Sequence, residues 1–160
     1  MNRLRLGIVT FGFLGCSPYA PGTVGTLGGV ALAFGLGYTR PFLVWLIVAA
    51  VVVYLIGRSL ADWAESYAGK KDPGFFVLDE VVGYLVTIAW ITPPSPLTLV
   101  LGFCAFRFFD IFKPKPARKL EALGGGDGIL LDDVVAGLYG LAVMTIARLL
   151  SGDPSLWSLS

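Results

Sequence analysis

The chain has 160 residues and a mass of 17.0 kDa, which allows a single domain over residues 1–160. Hydrophobic residues make up 56% and charged residues 14%, against roughly 25% charged in an average soluble domain, and mean hydropathy is +0.78. A soluble chain of this size cannot hide so much apolar surface, so composition predicts a membrane protein. The net charge of +1 gives no electrostatic support for nucleic-acid binding, and nothing in the sequence points to a protein partner. The two cysteines, Cys16 and Cys104, do not make a disulfide framework. Histidine is absent, which excludes histidine-ligated zinc, Ser-His-Asp triads and phosphohistidine phosphatases.

At the start, Arg3 and Arg5 precede an apolar run ending at Cys16, a loose likeness to a lipoprotein signal. Phe13 stands where a small aliphatic residue is usual, and the charge distribution along the chain argues against cleavage. Uncharged runs then cover 6–39, 41–57, 81–106 and 134–147. Gly and Pro divide them into five apolar helix candidates near 24–38, 42–57, 81–92, 97–112 and 134–150. Tyr38-Thr39-Arg40-Pro41 reads as a tight connection. Thr92-Pro93-Pro94-Ser95-Pro96 must be a turn, since its prolines remove donors and restrict the backbone. Several candidates fall short of the ~20 residues a straight span needs. The predicted fold is therefore all-α: a compact, membrane-embedded bundle of about five apolar helices, spanning cleanly or partly re-entrant.

If the first two candidates pair as one hairpin and the next two as another, three polar segments share a side: the N-terminal stretch to residue 23, 58–80 and 107–133. Together they hold ten of the twelve Lys and Arg residues, among them Arg58, Lys70, Lys71, Arg118 and Lys119. The positive-inside rule makes that side cytoplasmic. It also holds every acid except Asp153.

The acids on that side form three clusters at the edges of apolar runs. Asp79-Glu80 precedes Val81, Asp132-Asp133 precedes Val134, and Arg107 and Asp110 lie within an apolar run followed by Lys113-Pro114-Lys115. Helix capping and the macrodipole account for one acid at a helix start, but each pair supplies two. Asp110 sits inside a helix candidate, where an ionisable group is a functional candidate by default, or else a structural ion pair with Arg107. Carboxylates without histidine favour a hard cation such as Mg²⁺ or Mn²⁺, and the adjacent Lys and Arg suit an anion such as phosphate. Gly124-Gly125-Gly126-Asp127-Gly128 reads as a flexible loop or a backbone nest for an anion; no Lys-Ser/Thr follows, so it is not a P-loop. The stretch from Ser17 through Pro21-Gly22-Thr23 to Thr26 is a stiff hydroxyl-bearing turn entering a helix, which serves either as a helix start or as an anion site.

A cysteine phosphatase needs an Arg six residues after its Cys. Gly22 and Asp110 stand at those places, and no Asp-x-Asp pair serves an aspartyl-phosphate route. What remains is metal-assisted hydrolysis, in which a cation held by carboxylates polarises the phosphate and lowers the pKa of a water, with one acid as general base.

Ser17-Pro18-x-x-Pro21-Gly22-Thr23-x-Gly25-Thr26-Leu27, Asp79-Glu80-x-x-Gly83, Phe106-Arg107-x-x-Asp110-x-x-Lys113-Pro114-x-Pro116 and Gly128-Ile129-x-x-Asp132-Asp133-x-x-Ala136-Gly137 resemble the phosphatidylglycerophosphatase A family in order and spacing. The chain departs from that pattern at Leu78, where the family often has Trp before the acid pair, and at Asp127, in the loop before Asp132-Asp133, where relatives have an apolar residue. The resemblance implies an all-helical, Mg²⁺-dependent enzyme of the bacterial inner membrane, with its site facing the cytoplasm. Such an enzyme would hydrolyse phosphatidylglycerophosphate to phosphatidylglycerol and phosphate. Carried over by position, it makes Asp79, Glu80, Asp110, Asp132 and Asp133 the metal-binding and catalytic carboxylates. Arg107, Lys113, Ser17, Thr23 and Thr26 would then bind the substrate. Two alternatives stand beside it: a phosphatase of another lipid phosphate or a soluble phosphomonoester, and a small ion-coupled transporter using Arg107 and Asp110. A transporter should carry an internal repeat, and none is visible.

Overall fold

The structure, a computed structural model, describes residues 2–115 and 125–159. Pro116, Arg118, Lys119 and Gly124, named above, lie outside the described residues. The described chain is all-helical: α1 (Asn2–Val9), α2 (Pro21–Leu36), α3 (Phe42–Ala68), α4 (Leu78–Thr87), α5 (Pro96–Phe112) and α6 (Gly125–Ser151). The five apolar candidates are α2 to α6, and α1 precedes them.

Three elements depart from their predicted bounds. Helix α3 continues past Gly57 to Ala68 because its second half buries Ala61 and Ala64 on one side, and it stops at Gly69, whose φ of 67° is the left-handed conformation of a helix end. Helix α4 starts at Leu78 and ends at Thr87, so Asp79 and Glu80 lie in its first turn rather than ahead of it. Helix α6 begins at Gly125, which makes the glycine-rich stretch a helix start and neither a loose loop nor an anion nest. Its small residues serve packing: a Cβ at Gly126 would lie 2.6 Å from the Arg58 carbonyl oxygen of α3. Asp127 turns toward the same helix, accepting from Tyr54 Oη at 2.7 Å and pairing with Arg58 Nε at 2.9 Å.

At ten residues, α4 is about 15 Å long, too short to cross a bilayer. It is instead the buried centre, packed by α2, α3, α5 and α6. Val81, Tyr84 and Leu85 are fully buried, and Tyr84 Oη donates to the Leu99 carbonyl of α5 at 3.1 Å. The closest approach is to α6. A side chain at Gly137 would collide with the Gly83 carbonyl, and a Cβ at Gly83 would lie 2.7 Å from the Asp133 carbonyl oxygen. One helical turn before that crossing stand Asp79 and Glu80 on α4 and Asp133 on α6, so the glycine contact brings the acids together.

The outer helices are apolar on their free faces. Helix α3 exposes Val44, Trp45, Ile47, Val48, Val51 and Val52, and α6 exposes Leu138, Val143, Ile146 and Leu149. Both are long and apolar enough to cross a membrane. A contiguous apolar surface of this extent belongs to a membrane-associated protein.

A contrast of two glycines tests the crossing. Gly137→Ala should destabilise the detergent-solubilised protein by about 1–3 kcal/mol in thermal unfolding, because the methyl group must force two backbones apart. Gly35→Ala, with open space around its Cβ, should leave the melting temperature unchanged or slightly raised.

Candidate active site

Helix starts and ends meet at one end of the bundle and bring the predicted residues with them. Asp79, Glu80 and Asp133 each offer a carboxylate oxygen, and these oxygens lie within 4.8 Å of one another. Asp79 and Asp133 are buried, and Glu80 is half-buried. Asp110 of α5 adjoins the group, close enough to Asp133 for the two carboxyls to interact electrostatically. Arg107 Nη1 donates to Asp110 Oδ2, three residues away on the same helical face.

Asp132 takes a different direction. Consecutive helical residues point about 100° apart, so Asp133 enters the three-carboxylate group while Asp132 faces a neighbouring cleft. There Lys113 Nζ donates to Asp132 Oδ2 at 2.7 Å. The cleft, about 260 Å³ in volume, is lined by Glu65, Lys71, Asp72, Gly128, Ile129 and Asp132. Asp132 and Asp133 lie two turns inside α6, so helix capping cannot account for them.

Helix α2 supplies the remaining wall. A Cβ at Gly22 would lie 2.3 Å from Glu80 Oε1 and 3.3 Å from Arg107 Nη1, so the start of α2 sits directly against these side chains, and a side chain there would have to displace the Glu80 carboxyl. Thr23 follows in that first turn. The Thr26 hydroxyl is fully buried and donates to the Gly22 carbonyl at 2.8 Å, which holds the turn. Ser17 is committed to its own turn, donating to the Tyr19 carbonyl at 2.9 Å and accepting from Tyr19 N.

The electrostatics are those of a site built around positive charge. Burial pushes the Asp79 carboxyl well above the usual carboxylate range, and the adjacent Glu80 adds to the shift. Burial also raises Glu80, opposed by its contact with Asp79 and by Arg107. Glu80 Oε2 and Asp132 Oδ1 are buried without a hydrogen-bond partner. Oxygen-only donors with unused lone pairs and mutual repulsion fit a hard divalent cation, so the acidic group is able to hold a metal ion.

Sequence reasoning passed over Asp72 and Glu65. Asp72 is close enough to interact electrostatically with Asp79, and its φ of 43° sits in the sharp turn between α3 and α4. The Lys70-Lys71-Asp72-Pro73-Gly74 stretch signals a turn, but nothing local shows that it folds back against α6.

The phosphatidylglycerophosphatase A family model matches residues 7–148. A Haemophilus influenzae protein named phosphatidylglycerophosphatase A is 37% identical over 145 residues, covering 90% of this chain and 88% of the relative. Its Escherichia coli namesake is 34% identical over 146 residues, covering 89% and 82%. A Bacteroides thetaiotaomicron protein, provisionally named a phosphatidylinositol-3-phosphatase, is 36% identical over 143 residues, covering 86% and 89%. No solved structure matches the chain.

Replacing Asp79 or Asp133 with Asn removes one of several mutually repelling charges while keeping the shape. The metal-free melting temperature of either variant should hold or rise relative to the parent, measured by thermal unfolding in EDTA. A marked drop in both would mean that the acids stabilise the fold without any cation.

Proposed function

The chain belongs to the phosphatidylglycerophosphatase A family and is a phosphatase, and from that premise we propose that it hydrolyses phosphatidylglycerophosphate to phosphatidylglycerol and phosphate with Mg²⁺. The observation that carries this reading is the three-carboxylate group flanked by Arg107 and Lys113 at one end of an apolar bundle. Asp79, Glu80 and Asp133 would hold the cation, with Asp110 beside them. When bound, the cation supplies Lewis-acid polarisation of the phosphate.

The chain's own residues do the rest. Arg107 uses one nitrogen on Asp110 and keeps its other donors for phosphate oxygens, while Lys113 adds a second positive charge. Asp132 is held by Lys113 at Oδ2 and has an unpartnered Oδ1, which makes it an oriented acceptor for the proton of the attacking water. Phosphorus gains the water oxygen, and the bond to the glycerol oxygen breaks. That oxygen leaves as the lipid hydroxyl, taking up the proton that Asp132 accepted from the water. Lipid tails would lie along the exposed apolar faces of α3 and α6 while the head group reaches the acids. The charge asymmetry of the chain supports a reading in which this end faces the cytoplasm at the bacterial inner membrane.

A second reading has support in the relative provisionally named a phosphatidylinositol-3-phosphatase: the same chemistry on another lipid phosphate. Phosphate release by the purified protein from phosphatidylglycerophosphate, phosphatidylinositol 3-phosphate and glycerol 3-phosphate should rank the first highest. Equal rates on glycerol 3-phosphate would remove the lipid from the reading.

Activity should vanish after EDTA stripping and return with Mg²⁺. Asp79→Asn and Asp133→Asn should each cost roughly 10² or more in rate, and the stabilisation conferred by Mg²⁺ should shrink. Near-parent rates in these variants, or full activity in excess EDTA, would overturn the metal mechanism.

Orientation is checked separately. Lys70→Cys, in a background without the exposed Cys16 and Cys104, should resist membrane-impermeant thiol reagents in intact cells and react once the cells are opened. Labelling in sealed cells would reverse the topology.

A further inference from the structure

At the opposite end of the bundle, a buried cation stands in an apolar wall. Arg148, in the last turn of α6, is 9% exposed and lines a cavity of about 360 Å³ together with Trp90, Thr92, Leu149, Trp157 and Ser158. Its guanidinium carbon lies 4.5 Å from the Trp90 ring centroid and 5.6 Å from that of Trp157. Sixteen residues of helix separate it from Asp132, about 24 Å at 1.5 Å per residue, so this cavity is not part of the acidic site.

The cavity wall is tied down by hydrogen bonds. Ser95 N donates to the Trp157 carbonyl at 3.1 Å, and Thr98 Oγ1 donates to the same carbonyl at 2.7 Å. Trp157 Nε1 donates to Ser151 Oγ at 2.7 Å, joining the C-terminal segment to the end of α6.

Arg148 Nε and Nη1 are buried and make no hydrogen bond. Among the described residues no carboxylate pairs with it; Asp153, the nearest acid in sequence, accepts from Ser155 N at 2.9 Å and from Ser155 Oγ. The helix C-terminus and the indole faces favour a cation at this place. They do not satisfy its N–H groups, and leaving donors of a buried charged group unpaired is costly. An oxyanion would supply both the acceptors and the counter-charge, and a guanidinium fork suits phosphate.

We propose that this cavity binds a phosphate-type oxyanion, with Arg148 as its counter-ion and Trp90 and Trp157 as its walls. Leu149 and Leu150 beside it are 75% and 82% exposed, so the site opens at the apolar outer surface. That position favours the phosphodiester of an anionic phospholipid over a free ion.

The test uses the full chain in neutral detergent with Trp45→Phe and Trp63→Phe, so that Trp90 and Trp157 are the only fluorescent indoles. EDTA is present throughout to keep the acidic site without metal. Short-chain phosphatidylglycerol should give a saturable fluorescence change, and short-chain diacylglycerol should give none. Saturation by inorganic phosphate at similar concentration would identify a free ion as the source. Arg148→Gln should weaken the response at least tenfold while leaving phosphatase activity, assayed separately with Mg²⁺ and without EDTA, within about twofold. Because that variant disturbs a buried charge, Ser158→Leu, which fills the cavity and keeps Arg148, should give the same loss. A parent that responds to none of these probes, or equally to diacylglycerol, would overturn the site, as would unchanged affinity in both variants.

Discussion

Three carboxylates with oxygens within 4.8 Å of one another, largely out of water, are what the rest of this structure has to accommodate. Two unit charges at that separation repel by roughly 3–4 kcal/mol at an effective dielectric of about 20, before any desolvation cost. Backbone rigidity holds them together. Gly83 and Gly137 let α4 and α6 touch at backbone distance, and the acids stand one turn before that contact on each helix. The starts of α2 and α4 also point at the group, so two helix dipoles favour negative charge there.

The same geometry explains why the shortest apolar helix lies at the centre. Helix α4 is too short to span, and it is surrounded by longer helices, of which α3 and α6 carry exposed apolar surface and are long enough to cross a membrane. Its first turn thereby reaches the polar end of the bundle while its remainder packs in the core. Charge and apolar surface are thus divided between helices: α4 and the start of α6 hold acids, while α3 and the rest of α6 present apolar faces.

Two positive groups at the site are each tied to an acid. Arg107 is held by Asp110 and Lys113 by Asp132, so the cations that would meet a phosphate are already oriented. Arg148 is buried at the far end against indole rings, and among the described residues no carboxylate pairs with it.

Much of this protein was legible in the sequence. The apolar runs and their Gly and Pro breaks marked the five main helices, because hydrophobic length and helix-breaking residues act locally. The absence of histidine and the paired acids beside Arg and Lys pointed to oxygen ligands and an anionic substrate, since ligand chemistry belongs to residue type. Only the tertiary structure decided which acids share a group. Asp132 and Asp133 are adjacent in sequence yet face different spaces, and Asp72 approaches Asp79 only through a turn between helices. It also decided that Gly125-Gly126-Asp127-Gly128 starts a helix, with Gly126 packed against the Arg58 backbone of α3. A glycine in a sequence shows where a side chain is missing. What fills that space is set by a distant segment, and only folding brings it there.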